Sequence, residues 1–311
     1  MSKNKLIDCF PYYRESILLE FRIRLLYDHV DKFLISEGNK TFSGINKTYN
    51  CRKHLESIDD PLNKIVLVEL DFNQFPECDT FSGRENLQRD VPSKLLDNFD
   101  DDCIFYFSDC DEILNPDHLE WVTNVVKENP DKTIRTPLAF LNCKANLRVY
   151  DNERNVYVPW AAPFMATKKH LEVYTPSEIR EIFAYNSPNR VNKFSDVLIQ
   201  VDGKEVELGW HFSWTGENMD RFIKYKSYSH ANDFDQKFVK EYLMDYDPNE
   251  DSFDPLGRKD HILKKYDISN LPSLIFEEEK FKNYFLPGVD IKKEKKISNL
   301  NGLNIVNLNI K

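Results

Sequence analysis

Three acids fall within four residues, Asp109, Asp111 and Glu112, directly after the apolar run Cys103-Ile104-Phe105-Tyr106-Phe107. The run is short and rich in aromatic and β-branched residues, so it reads as a buried strand. Asp109 and Asp111 are two apart, and in an extended chain their side chains point the same way. Two carboxylates on one side suit a hard divalent cation such as Mg²⁺ or Mn²⁺, whose other positions go to water and phosphate oxygens. The competing reading is a solvated turn or a helix cap in an acid-rich chain.

A buried strand of this kind belongs in a mostly parallel sheet flanked by helices, where ligands gather outside the carboxyl ends of the strands. The elements before it fit that frame. Leu6-Ile7-Asp8-Cys9-Phe10 reads as a first strand. Ile17, Leu18, Phe21, Leu25, Leu26 and Val30 recur at helical spacing over 15–30, with Glu20, Arg22 and Arg24 on the other positions. Lys32 to Glu37 closes a βαβ unit, Ile65 to Leu70 gives a third strand, and a helix over 84–99 is bent or restarted at Pro92. Another helix runs from Asn115 to about Glu128. The second half alternates more and reads as an antiparallel β extension, with strands in antiparallel pairs expected over 133–140, 146–150 and 164–167, and a hairpin around Asp202-Gly203. Helices are expected over 219–229 and 234–244, and a loosely ordered Lys- and Asn-rich tail with a final strand over 303–308.

Composition narrows the function. The chain has 311 residues, 41% hydrophobic and 13% aromatic, enough for a large α/β core. A formal net charge of −10 argues against a nucleic-acid surface. Only nine glycines are present, and neither G-x-G-x-x-G nor a Walker-type loop occurs. The scattered cysteines form no C-x-x-C pair and read as small core residues. No apolar N-terminal segment is long enough for a signal peptide or membrane span, so the chain reads as soluble and intracellular.

Three stretches together carry a resemblance. The first is Asp8-Cys9-Phe10-Pro11-Tyr12-Tyr13 with Glu15 and Leu18-Leu19-Glu20-Phe21-Arg22. The second is Val30 to Glu37 with Thr41-Phe42-Ser43-Gly44. The third is Ser108 to Ile113, with Gly209-Trp210-His211-Phe212-Ser213-Trp214 as a weaker fourth. In this order they resemble glycosyltransferase family 17, the family of β-1,4-mannosyl-glycoprotein 4-β-N-acetylglucosaminyltransferase. The resemblance spans about Asp8 to Trp214. It implies a GT-A type fold, a UDP-GlcNAc donor, a divalent metal at Asp-x-Asp and inversion at the anomeric carbon. It also implies one catalytic domain over 1–285, with a nucleotide-sugar half (1–130), an acceptor half (131–285) and a tail (286–311). The eukaryotic enzymes carry an N-terminal Golgi anchor that this chain lacks, so the acceptor expected is a glycan or glycoconjugate hydroxyl without closer definition.

Within that frame each residue has an expected part. Asp111 is the direct ligand of Mn²⁺ or Mg²⁺, and Asp109 holds ribose, or the metal through water. His211 completes the metal site or is a hydrogen-bonded histidine packed between Trp210 and Trp214. Glu112 and Glu217 are the candidates for the general base that inversion requires. Arg84 and Arg89 are candidates for the diphosphate, which a guanidinium fork matches. Phe10, Pro11 and Tyr12 or Tyr13 are candidates for the nucleotide base. Glu37 either contacts the donor or organises the loop after its strand. The rivals are a transferase of another UDP- or GDP-sugar, a non-catalytic glycan binder on the same fold, and a phosphohydrolase. The last should bring H-x-H or G-D-H clusters, and none occurs.

Overall fold

A computed structural model describes residues 5–184, 196–198, 200–201, 204–227, 246–252 and 261–292. Strands β1 (Leu6–Pro11), β2 (Lys32–Gly38), β3 (Ile65–Leu70) and β4 (Ile104–Phe107) lie parallel in the order β4-β1-β2-β3. Chain order continues with β5 (Glu112–Leu114), β6 (Thr133–Arg135), β7 (Leu138–Asn142), β8 (Lys144–Asp151), the two-residue strands β9 (Val156–Tyr157) and β10 (Pro159–Trp160), and β11 (Phe164–Thr167). Then come β12 (Asp196–Leu198), the antiparallel pair β13 (Gln200–Val201) and β14 (Lys204–Glu205), β15 (Gly209–Ser213) and β16 (His261–Lys265).

The first sheet runs β12-β6-β11-β4-β1-β2-β3 and the second β16-β8-β7-β15-β5. The first sheet is mostly parallel, as expected: β12, β6, β4, β1, β2 and β3 run one way and β11 runs the other. β11 lies antiparallel to both β4 and β6, because it is reached from β10 through residues 161–163 with no crossover helix to restore its direction. The second sheet is antiparallel except where β15 runs parallel to β7. The architecture is mixed α/β, with two multistranded sheets and flanking helices.

The chain passes from the first sheet to the second through residues 108–111, the Asp-x-Asp loop itself. β5 continues that loop and pairs with β15, His211 standing opposite Glu112. The two strands approach closely at Gly209, where a Cβ would stand 2.1 Å from the Ile113 carbonyl oxygen. A side chain there would push β15 off β5, so glycine fixes the second sheet against the acid loop.

Helix α1 (Ser16–Leu26) completes the βαβ unit, burying Leu18, Leu19, Phe21, Ile23 and Leu26. Phe21 packs against Phe212 of β15 and against Phe281 and Phe285 of the helix Glu279–Phe285, with ring centroids 6.0, 5.3 and 4.6 Å away. The short helix α2 (Cys51–Leu55) follows β2. Helix α3 (Phe81–Arg89) starts on a Thr80 cap whose hydroxyl accepts the Gly83 N–H, and Pro92 opens a separate 3₁₀ segment over Val91–Asn98. Further along are α4 (Leu119–Glu128), α5 (Lys168–Leu171), α6 (Pro176–Ala184) and α7 (Asn218–Ser227). The expected helix over 234–244 and final strand over 303–308 lie outside the described residues. All six cysteines are free, and every one but Cys78 is buried.

Candidate active site

Arg22 builds the site from below. It was expected among the outward positions of α1, yet it is fully buried. Its guanidinium pairs with Asp8 (2.8 and 2.5 Å) and lies 4.2 Å from the Phe10 ring centroid. Its remaining N–H groups donate to the Ser108 hydroxyl (2.7 Å) and to the carbonyls of Asp109 (2.7 Å), Cys110 (3.3 Å) and Glu112 (3.0 Å). A loop that turns between two sheets leaves carbonyls without ladder partners, and one buried cation satisfies them together. Burial works against the charged guanidinium, but Asp8 outweighs it and holds Arg22 protonated.

Above this clamp the acids divide into two groups. The Asp109 carboxylate takes two hydrogen bonds from Arg89 (2.8 and 3.1 Å) and one from Arg180 of α6 (2.8 Å). Glu112 is fully buried, and both its oxygens are used. Arg180 donates at 3.0 and 2.7 Å, Trp160 Nε1 at 2.5 Å, and the Asp109 N–H at 2.5 Å. Burial pushes the Asp109 carboxyl up, but Arg180 and Arg89 prevail and hold it at about 2.

Asp111 belongs to the other group. Its Oδ2 receives the Lys224 ammonium of α7 at 2.6 Å and faces His211 Nε2 at 3.6 Å. Burial opposes its charge, yet Lys224 and His211 bring its pKa far below the usual carboxylate range. Lys224 also stands 3.4 Å from Glu15. Glu15, Lys224 and Asp220 line an open cleft of about 200 Å³, together with Tyr13, Arg14 and Tyr284. A much smaller crevice of about 10 Å³ lies at the ends of β1 and β4, between Pro11, Ser108, Arg89 and Arg180.

These positions sort the expected residues. Arg89, Asp109, Asp111, Glu112 and His211 come together. Glu217 is exposed at the start of α7, where its N–H donates to Asp220. Tyr12 is buried with its hydroxyl on His54 Nδ1, so its ring is closed to a nucleotide base; Tyr13 faces the cleft instead. Phe10 lies in the core under Arg22, and Pro11 borders the crevice. Glu37 organises its loop, accepting the N–H groups of Asn50 (2.9 Å) and Cys51 (2.8 Å) and the Lys47 ammonium (2.5 Å). Arg84 is a loop clamp, bonded to the Phe42 carbonyl (2.8 Å) and Asp79 (2.5 Å), and is turned away from the acids. His211 stacks on Phe140 and Trp160, not between Trp210 and Trp214. Both of those tryptophans are buried, and Trp210 donates to the Asn270 carbonyl (3.0 Å).

Asp109 is paired with two arginines, and among the described residues no group of three His, Cys, Asp or Glu is placed to hold one metal ion. Asp111 and His211 do converge. Their 3.6 Å separation is that of two ligands each about 2.1 Å from one ion. The local charge agrees. Glu15, Glu85, Asp109, Asp111 and Glu112 face only Arg89, Arg180 and Lys224, which leaves negative charge in excess. This pair fits a divalent cation that takes its other ligands from phosphate and water, in competition with the Lys224 ammonium for Asp111 Oδ2.

A sequence comparison bears on the class of protein and supports a glycosyltransferase. Residues 1–132 match the sequence profile of Glycosyltransferase family 17, the family that the motifs resemble. No curated protein matches. Among solved structures, the crystal structure of 4-diphosphocytidyl-2C-methyl-D-erythritol synthase is similar over 67% of this chain and 94% of its own, at 11% identity and a TM-score of 0.38. A likeness that low carries nothing about site or substrate. No described helix is long and apolar enough to cross a membrane.

Sequence reasoning missed Arg180 and Lys224 and gave Arg22 and Glu15 no part in the site. The one signal for Glu15 was its place in the first motif.

Proposed function

We propose that the protein is a GT-A type transferase that moves a sugar, GlcNAc from UDP-GlcNAc foremost, onto a glycan or glycoconjugate hydroxyl with inversion. The observation that carries this reading is the acid loop at the carboxyl end of β4, held by Arg22 beside an open cleft lined by Glu15 and Lys224. Tyr13 and Arg14 follow β1 at the cleft edge, where a nucleotide can lie. Arg89 and Arg180 are oriented by Asp109 and keep spare N–H donors for phosphate oxygens. Asp111 and His211 would hold Mn²⁺ or Mg²⁺, which when bound neutralises charge on the departing diphosphate. Lys224 adds positive charge at the same place.

The test is calorimetry with UDP-GlcNAc, UDP, GDP-mannose and UDP-glucose, in Mn²⁺ and in chelator. Metal-dependent binding of UDP-GlcNAc and UDP supports the whole reading. Preference for another sugar nucleotide keeps the reaction and removes GlcNAc. Failure of every nucleotide in Mn²⁺ points instead to a non-catalytic glycan binder.

A further inference from the structure

We propose that Glu15, and neither Glu112 nor Glu217, is the general base of the transfer; the assignment rests on the inverting reading above. Glu112 has its two oxygens occupied by Arg180, Trp160 and the Asp109 N–H, and no part of it is exposed. A base must reach the hydroxyl it deprotonates, and Glu112 reaches only its partners. Glu217 lies exposed outside the set of residues that line the cleft. Asp109 is held by two arginines and Asp111 by Lys224.

Glu15 differs from all of these. Among the described residues its carboxylate pairs with Lys224, at the longer distance of 3.4 Å. It occupies the N-cap position of α1 but makes no capping hydrogen bond, so its oxygens are not spent on the helix. It lines the cleft, partly buried, next to the Lys224–Asp111 pair. The groups that face it define its proton affinity. Burial raises its pKa and Lys224 lowers it, while Asp111 and Asp109 raise it further, and the net shift is upward. Tyr12, Tyr284 and Cys110 also lie within its field, and burial keeps all three protonated. A carboxylate with a raised pKa beside an open cleft suits proton abstraction near neutral pH.

The acceptor oxygen forms a bond to the anomeric carbon as Glu15 takes its proton. The bond from that carbon to the diphosphate oxygen breaks, and the electron pair leaves with the nucleoside diphosphate. Glu15 then releases the proton to solvent.

The experiment follows UDP release from UDP-GlcNAc with water as acceptor, or from whichever nucleotide sugar the calorimetry selects. Glu15→Gln should bind UDP within about threefold of wild type and melt normally, while turnover falls by about 10²–10⁴-fold. Wild-type turnover should rise with pH through an acid limb, and that limb should vanish in Glu15→Gln. Azide needs no base, so it should restore turnover of Glu15→Ala and yield the glycosyl azide. Retention of turnover and of the acid limb by Glu15→Gln overturns the assignment. So does loss that azide does not rescue, which would make Glu15 a structural or donor-positioning residue. A wild-type protein that binds no nucleotide sugar, or a product of retained configuration, overturns the parent reading instead.

Discussion

The two halves of the acid loop solve opposite problems. Asp109 and Glu112 are locked by Arg89, Arg180 and Trp160, and Glu112 is sealed from solvent. Asp111 and Glu15, a few ångströms away, share one lysine at the wall of an open cleft. Saturated carboxylates are scaffold, because every oxygen already has its donor. Under-paired carboxylates are where a ligand or a proton can still act. The Asp-x-Asp motif therefore spans both kinds: its first acid is held by two arginines and its second by one lysine at the cleft wall.

The contrast can be broken at its base first. Arg22→Met would strand Asp8 in the core and leave the loop carbonyls unpaired, at a cost of about 3–5 kcal/mol. Urea denaturation should show it, and Asp8→Leu in the same chain should recover part of the loss. Next, Arg180→Met and Lys224→Met compare the two halves directly. The first leaves buried Glu112 without its cation and should cost about 3 kcal/mol of stability. The second should cost about 1 kcal/mol, since Asp111 keeps His211, and should instead weaken UDP binding in calorimetry. Equal stability losses would erase the distinction.

Acid titration sharpens it further. The Asp109 carboxyl lies at about 2 in the fold, below its ordinary value of 3.8, so its pairing stabilises the protein fully above about pH 4–5. That contribution is lost as pH falls through the folded value. The gap in urea midpoint between wild type and Asp109→Asn should be constant from pH 7 to 5 and close toward pH 2. The smallest effect belongs to Tyr12→Phe. It removes the bond to His54, about 1 kcal/mol, and should leave nucleotide binding unchanged because the ring is buried.

Much of the first sheet was legible because its signals are local. The βαβ unit over residues 6–38, the strand at 65–70 and the acid-tipped strand β4 each carry their own periodicity and boundary. The reading failed where a residue's role depends on distant partners. Arg22 sits between apolar neighbours on α1 and looks like a solvent-facing charge, until the loop 86 to 90 positions later folds over it with a hydroxyl and three carbonyls. Arg180 and Lys224 have no motif, and only the tertiary fold brings them to Asp109 and Asp111. Glu112 looked like a base because it adjoins the motif, but sequence proximity does not reveal that Trp160 and Arg180 consume both oxygens.

The profile match ends at residue 132, but the chemistry does not. Arg180, His211 and Lys224 all come from the unmatched portion and close on acids from the matched one. The recognisable segment is therefore not a self-sufficient module. Expressed alone it would lose partners of four of its own acids, Glu15, Asp109, Asp111 and Glu112. Spliced onto a foreign C-terminal half it would keep its signature and lose those pairings.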